Sequence, residues 1–313
     1  MTVDDDGVLD LEVVSLRRES DCVLSVELAD PLRRLLPAWE PGAHIDLGLP
    51  GHVRQYSLCG DPADRRRYRV AVLREPASSG GSRFVHERLR PGDRVEVAGP
   101  RNHFALVDAR RHLLVAGGVG ITPLLAMAGE LAARGAEWRL VYGGRSRASM
   151  AFLGELARFG PAVEVVAEDE AGRPDLDALL GAPQDGTAVY CCGPEALLGA
   201  VEERCRVWPA GSLHVERFAA KARDDSDLRA FDVVLRRSGR RLEVGPLDSA
   251  LDILDAAGIA IPNACRDGVC GSCVTRVLSG VPDHRDSLTE PGRTDVVLPC
   301  VSRAVGRELV LDL

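Results

Sequence analysis

Aromatic residues are scarce in this chain, at 4% of 313 residues, so the few that fall inside motifs stand out. Other absences narrow the function classes. No uninterrupted apolar run approaches the ~18 residues of a helical membrane span, so no membrane contact is expected. The opening residues, MTVDDDGVLDLEVV, have no basic segment followed by an apolar one, and no secretory leader is expected there. There is no internal repeat and no low-complexity tract. Nor is there a charge block: the net charge is −8 and its signs are interspersed. That balance speaks against a nucleic-acid partner and against an acidic docking tail.

What is present points to a multidomain globular protein. Hydrophobic residues make up 45% and charged residues 27%, enough to bury cores. The length suggests two or three domains, with a monomer as the default state. Nine cysteines is an odd number, spread over a long chain. That pattern fits a reducing, cytoplasmic setting, where clustered thiols mark metal or redox chemistry rather than disulfides.

The texture changes twice. Within residues 1–108, short alternating segments (LEVVSL, CVLSVEL, HIDLGL, RQYSL, YRVAVL, RVEVA) are separated by turns such as Pro41-Gly42 and Pro91-Gly92-Asp93. They predict an antiparallel β-barrel or sandwich, with one helix near 82–90. Residues 109–218 alternate strands (HLLVAGG, WRLVYGG, VEVVAED, AVYCCG, LHVERF) with helical patterns (PLLAMAGELAARG, EALLGAVEERC), the mark of an α/β parallel sheet. Residues 219–230 are polar and unpatterned and read as a linker. In 231–313, a hairpin around Ser238-Gly239 precedes a helix, SALDILDAAG, and then a cysteine loop.

That loop, CRDGVCGSC, spaces Cys265, Cys270 and Cys273 as C-x4-C-x2-C, and Cys300 follows after 26 intervening residues. This is the plant-type [2Fe–2S] spacing, in which four thiolates hold two irons. The composition follows from the chemistry. Inorganic sulfides need many hydrogen bonds, and backbone N–H groups supply them if side chains are small, as at Gly268, Gly271 and Ser272. Arg266 is expected to place a positive charge beside the cluster. The rival is a structural zinc site, but zinc ribbons use two separated C-x2-C pairs, whereas Cys300 stands alone. Cys22, Cys59, Cys191, Cys192 and Cys205 read as small buried residues.

Two glycine-bearing strand ends are candidates for a dinucleotide. In HLLVAGGVGITPLLAM, Gly117, Gly118 and Gly120 lie where an apolar strand gives way to a helix whose first turn suits Thr122 and Pro123. Glycine there admits a pyrophosphate, and the helix N-terminus offers free N–H groups. The spacing is not G-x-G-x-x-G, so a plain strand-to-helix turn competes with this reading. YCCGPEALL repeats the geometry, with Cys192, Gly193 and Pro194 at a later strand end. Both ends should face one crevice of the sheet. Gly143, Arg145, Ser146 and Asp169 could flank an adenosine ribose, although each alone reads as an exposed loop residue.

In the first region, RQYSL puts Arg54 and Tyr56 on one strand face and Gln55 and Ser57 on the other. Arg54 suits a phosphate and Tyr56 a flat ring. Gly80, Gly81 and Ser82 precede the expected helix and form a second anion cradle. Beside a dinucleotide loop and an iron–sulfur site, a flavin phosphate accounts for these residues better than a bare surface strand does.

With RQYSL, GGS, PRNHF, GGVGITP, CGP, VERF and the four cysteines in this order, the chain resembles the phthalate dioxygenase reductase family over nearly its whole length. This family includes the reductase components of vanillate demethylase-type Rieske oxygenases. The resemblance implies three parts: a flavin β-barrel, a ferredoxin-NADP reductase-like nicotinamide domain, and an α+β β-grasp plant-type ferredoxin. It implies FMN held by Arg54, Gln55, Tyr56, Ser57, Gly80, Gly81 and Ser82, with the backbone of Ala71, Val72 and Leu73 along the ring. NADH would meet Gly118, Gly120, Ile121, Thr122 and Pro123 at its pyrophosphate and Gly143, Arg145, Ser146 and Asp169 near its adenosine. Cys192, Gly193 and Pro194 would lie near the nicotinamide, and Phe218 would cover the flavin. Cys192 and Phe218 would therefore stand closest to the chemistry. Cys265, Cys270, Cys273 and Cys300 would ligate the [2Fe–2S] cluster.

The implied activity is a valence conversion, NADH to FMN to [2Fe–2S] to a terminal oxygenase. The cluster potential would lie near about −400 mV, the plant-type value. Hydride transfer needs no acid or base from the protein, which supplies binding and tuning. Arg145 and Arg147 could also accept a 2′-phosphate, which leaves NADPH open, and His103 has no derivable role. The rivals are an FAD-dependent reductase of another hydroxylase system and a non-enzymatic zinc or redox-sensing module.

Overall fold

The computed structural model describes residues 7–76, 80–220, 228–289 and 292–313. Residues 77–79, just before the expected glycine cradle, and residues 221–227 of the expected linker lie outside the described residues. The chain divides into two compact units, one ending at Glu216 and one beginning at Arg217.

The first unit opens with six antiparallel strands: β1 (Val8–Ser20), β2 (Val23–Ala29), β3 (Ala43–Leu49), β4 (His52–Ser57), β5 (Tyr68–Leu73) and β6 (Arg94–Asn102). Their order is β4-β3-β6-β1-β2-β5. A bridge from Leu58 to Val70 brings the two edges together and closes the sheet into a barrel. The alternation read in the sequence sends Leu11, Val13, Val26, Leu28, Ile45, Leu47 and Val97 into one core. Helix α1 (Gly81–Glu87) contributes Val85 to that core, and the His86 ring nitrogen lies 2.9 Å from the Val72 carbonyl of β5.

Five parallel strands follow: β7 (Arg111–Gly117), β8 (Glu137–Gly144), β9 (Val163–Ala167), β10 (Thr187–Cys192) and β11 (Leu213–Glu216). All six residues of β10 are buried, as expected of a central parallel strand covered on both faces. The helices are α2 (Ile121–Ala133), α3 (Leu153–Leu156), α4 (Glu168–Ala171), α5 (Leu176–Leu180) and α6 (Glu195–Arg204). Helix α2 buries Leu124, Leu125, Met127, Ala128 and Leu131. Truncating one of these leucines to alanine would cost about 2–5 kcal/mol. The strand read as VEVVAED ends at Ala167, and Glu168 to Ala171 turn into α4.

The strand order β11-β10-β7-β8-β9 puts the first strand of this sheet beside the fourth. Between β7 and β10 the connections turn to opposite sides, which makes a switch point with its crevice at the C-terminal strand ends. The barrel and this sheet share one core. Val23, Cys59, Ala71 and Phe104 pack with Leu114, Ile121, Tyr142 and Phe152. Arg69 adds a two-pronged ion pair to Glu155, at 2.7 and 2.9 Å, and lies over the Phe152 ring. The boundary expected at 108/109 therefore falls inside a continuous core.

The second unit holds β12 (Phe231–Leu235), β13 (Arg241–Val244), α7 (Ala250–Ala256), β14 (Thr275–Ser279), β15 (Pro282–Asp283), β16 (Val296–Val297), β17 (Arg303–Ala304) and β18 (Glu308–Leu311). Its main sheet runs β13-β12-β18-β14-β16, with β12 and β18 parallel. The hairpin β12–β13 turns at Ser238-Gly239 as the sequence indicates, and Gly239 has φ 68°. Ser249 caps α7 by accepting from the Asp252 N–H. Leu251 and Leu254 pack α7 against Phe231, Val233, Cys273, Val277 and Cys300. Among the described residues, no helix is long and apolar enough to cross a membrane.

Candidate functional site

At the switch point the ends of β7 and β10 touch. A Cβ on Gly120 would lie 2.2 Å from the Cys192 carbonyl oxygen, and one on Gly193 would lie 3.0 Å from Gly117. These glycines are required by backbone packed on backbone. Gly118 is different: its φ is +54° and a Cβ there would meet nothing within 4 Å. It is the position where the loop faces open space. Thr122 turns its hydroxyl back to the Val119 carbonyl at 3.0 Å and so fixes the loop. Ile121 is fully buried, and Pro123 is buried beside it in the first turn of α2. Pro194 is the N-cap of α6.

One side chain at this crevice was not expected from the sequence. Glu216, the last residue of β11, accepts a hydrogen bond from the Ser57 hydroxyl at 3.2 Å, and the Cys192 thiol lies 4.0 Å from the same oxygen. Burial pushes the Glu216 carboxyl up to about 8, against a smaller pull downward from Ser57. Burial, with Glu216 and Cys191 adding to it, pushes the Cys192 thiol well above its ordinary range. Cys192 is a fully buried thiol packed in the shared core. The only sequence signal for Glu216 was its place in VERF, and nothing local ties it to Ser57.

On the barrel, β4 presents Arg54 against the start of α1. A Cβ on Gly81 would lie 3.0 Å from Arg54 Cγ, and one on Gly80, at φ +128°, would lie 2.5 Å from the His52 ring. The Arg54 guanidinium donates to the Val53 carbonyl at 2.8 Å, and Ser82 Oγ accepts from the Glu75 N–H at 3.2 Å. Tyr56 is partly buried against the barrel core, and that burial raises its hydroxyl to about 12 while Arg54 opposes the shift. Gln55 donates its amide to Asp46, which also pairs with Arg101 at 2.6 Å. Along β5, Ala71 and Leu73 pack toward the parallel sheet and Val72 into the barrel. His103 lies near the buried His44, ring centres 5.6 Å apart.

The residues expected near adenosine are spread over the ends of β8 and β9. A Cβ on Gly143 would press on Pro174 at 3.0 Å, so packing requires this glycine. Ser146 forms a capping box with Ser149, and the Asp169 N–H donates to the Arg145 carbonyl at 3.2 Å. Arg147, the second candidate for a 2′-phosphate, is held by Glu170 at 2.9 Å. Phe218 is 45% exposed and belongs to the second unit.

The four cysteines of the second unit form two pairs, and among the described residues no group of three or more ligating side chains is gathered at one point. The Cys265 and Cys270 thiols share a hydrogen bond, and Cys273 and Cys300 lie 3.4 Å apart, sulfur to sulfur. Two thiols for each of two irons is what a [2Fe–2S] centre requires. The donors fit as well. Asp267 and Ser272 N–H groups reach the Cys265 and Cys270 sulfurs at 3.3 and 3.4 Å, the Ser272 hydroxyl lies 3.0 Å from Cys270, and the Gly268 amide reaches Cys300. Gly268 and Gly271 both have positive φ. Arg266 departs from expectation. Its guanidinium is paired with Asp252 at 2.8 Å and Asp255 at 2.6 Å on α7, so it fastens the loop rather than adding a bare charge.

Comparison with known proteins shows the family of the chain. Residues 233–305 match the model of the 2Fe-2S iron-sulfur cluster binding domain, and residues 114–203 match that of the oxidoreductase NAD-binding domain. Phenoxybenzoate dioxygenase subunit beta of Ectopseudomonas oleovorans is 44% identical over 312 residues, 97% of each chain. An intact type IV self-sufficient cytochrome P450 monooxygenase superposes with TM-score 0.93 at 44% identity over 98% of this chain, which spans 41% of that protein. A phthalate dioxygenase reductase, described as a modular structure for electron transfer from pyridine nucleotides to [2Fe–2S], superposes with TM-score 0.74 at 38% identity over 100% of both chains. The chain belongs to the phthalate dioxygenase reductase family and is an NAD- and [2Fe–2S]-dependent oxidoreductase of the kind that serves oxygenase systems.

Proposed function

We propose that this chain takes a hydride from NADH onto FMN at the barrel edge and delivers single electrons, through Cys265, Cys270, Cys273 and Cys300, to a Rieske-type aromatic oxygenase or demethylase. When bound, the flavin converts a two-electron donor into single electrons, and the cluster carries them one at a time. Arg54, beside Gly81, would hold the flavin phosphate. Tyr56, Gln55 and the β5 backbone would orient the ring, and no further element intervenes between α1 and β6 to seat the adenosine of FAD. Gly118 would admit the NADH pyrophosphate, with Arg145, Ser146 and Asp169 toward the adenosine. Ser57 and Glu216 would hold a proton beside the reacting ring, since a carboxyl raised to about 8 is mostly protonated near neutral pH. We place the protein in the cytoplasm as a monomer.

The observation that supports this reading most is convergence. The glycine turn after β7, Cys192 of β10 and Ser57–Glu216 meet at one switch point. The test is anaerobic titration with NADH, followed by denaturation and identification of the released flavin. FMN, together with NADH-driven reduction of both chromophores, is the expected result. Released FAD would favour the other hydroxylase systems, and a colourless protein would favour a zinc module. Electron delivery to candidate oxygenases then identifies the partner.

A further inference from the structure

Behind the cysteine loop lies a carboxylate that the electron route does not use. The Asp286 side chain has 0% exposure. One of its oxygens accepts from the Leu288 and Thr289 N–H groups at 2.9 and 2.6 Å, and the other accepts from the Ser302 hydroxyl at 3.1 Å. The direction of that last bond is fixed, because Ser302 Oγ itself accepts from the Arg285 N–H at 3.2 Å and its own hydrogen goes to Asp286. No arginine is paired with Asp286 among the described residues. Its ion-pair contact is His284, whose Nδ1 lies 3.7 Å away and whose Nε2 faces the Arg293 carbonyl.

The position of this group gives it leverage. A Cβ on Gly268 would lie 3.1 Å from the Asp286 Cα and Cβ, and the Ser287 N–H donates to the Gly268 carbonyl at 2.9 Å. The Gly268 amide reaches the Cys300 sulfur, and Ser302 lies two residues beyond Cys300. Asp286 thus touches the turn inside the cysteine loop and the segment that carries the separate fourth cysteine. We propose that Asp286 is a positioning residue for the [2Fe–2S] centre, clasping the Gly268 turn to the segment after Cys300 and, as a buried anion, holding the reduction potential of the cluster down. Reduction adds negative charge to the centre, and a fixed negative charge nearby in a poorly solvated interior opposes it. Outer groups that orient the ligands and set local charge tune metal potentials in this way.

The inference rests on the four cysteines being [2Fe–2S] ligands. The test is a redox titration of the purified full chain, read by the visible and electron paramagnetic resonance spectra of the cluster, with the flavin potential in the same sample as internal reference. Asp286→Asn keeps an oxygen for the Leu288 and Thr289 N–H groups and removes the charge. It should raise the cluster potential by an amount equivalent to about tenfold in the one-electron equilibrium, about 59 mV, with iron content and flavin potential unchanged. Ser302→Ala removes the donor that screens the carboxylate and should give a smaller shift of opposite sign. An unmoved potential in a fully loaded Asp286→Asn protein overturns the proposal. If that variant fails to load, an unmoved potential in Ser302→Ala overturns it instead, and loss of cluster in both assigns the pair a purely structural role and overturns it too. A wild-type protein lacking the cluster spectrum would mean that the reading of the cysteines had failed, a result distinct from all of these.

Discussion

The switch-point crevice and the cysteine loop handle buried negative charge in opposite ways. The cysteine loop points backbone N–H donors at its sulfurs, from Asp267, Ser272 and Gly268, and each such donor favours a thiolate over a thiol. The crevice gives Glu216 one hydroxyl, from Ser57, and burial then favours the neutral acid. A site dense in donors suits a resident anionic centre. A site poor in donors keeps a proton. The first is built by local backbone, the second by side chains brought together across the sheet.

Removing a cluster ligand should separate the two regions most sharply. Cys273→Ser is expected to abolish cluster absorbance and reduce transfer to one-electron acceptors to background, while NADH still bleaches the flavin in stopped-flow measurements. Loss of flavin bleaching as well would break the comparison.

The next effect lies in the crevice. Gly120→Ala would force a methyl against the Cys192 carbonyl and should destabilise by about 1–3 kcal/mol, as overpacking does. Gly118→Ala should cost about 1 kcal/mol for its left-handed φ but raise KM for NADH, because its methyl enters the open side of the loop. Thermal melts and steady-state kinetics on the pair check this, and equal melting temperatures would contradict it.

The pH dependence follows from Glu216. Its value in the fold, about 8, lies above the ordinary 4.5, so folding favours the protonated acid. The resulting stabilisation is complete below about 4.5 and is lost as pH rises through about 8. From pH 5 to 9 the melting temperature of the wild type should fall relative to that of Glu216→Gln, and parallel profiles would remove the raised carboxyl from the account. The smallest effect is expected at Arg266. Its ion pairs to Asp252 and Asp255 are half exposed, so Arg266→Ala should cost no more than about 1 kcal/mol in denaturant unfolding. A larger loss would mean that the staple is integral to the cluster loop.

How much of this was legible in the sequence depended on distance along the chain. Three cysteines and two glycines within nine residues announce their site, because backbone N–H groups and ligands come from the same turn. The barrel strands were readable from alternation, and the parallel sheet from strands alternating with helices. Ser57 and Glu216 are 159 residues apart, and no local pattern links them. Arg266 looked like a free charge beside a cluster because its partners sit one helix earlier, on a face visible only after α7 packs. Gly120 and Gly143 looked like ligand-facing glycines, whereas packing against Cys192 and Pro174 accounts for them. Sequence marks where glycine is needed, and only the fold tells whether backbone or open space requires it.

The most direct test of the central claim is an anaerobic NADH titration of the purified protein, followed by visible and electron paramagnetic resonance spectra with iron and flavin quantified. The account predicts two irons per flavin, overlapping flavin and [2Fe–2S] bands that NADH bleaches, and a paramagnetic signal from the reduced cluster. A protein with one zinc ion held by the four sulfurs, or with chromophores indifferent to NADH, would contradict it.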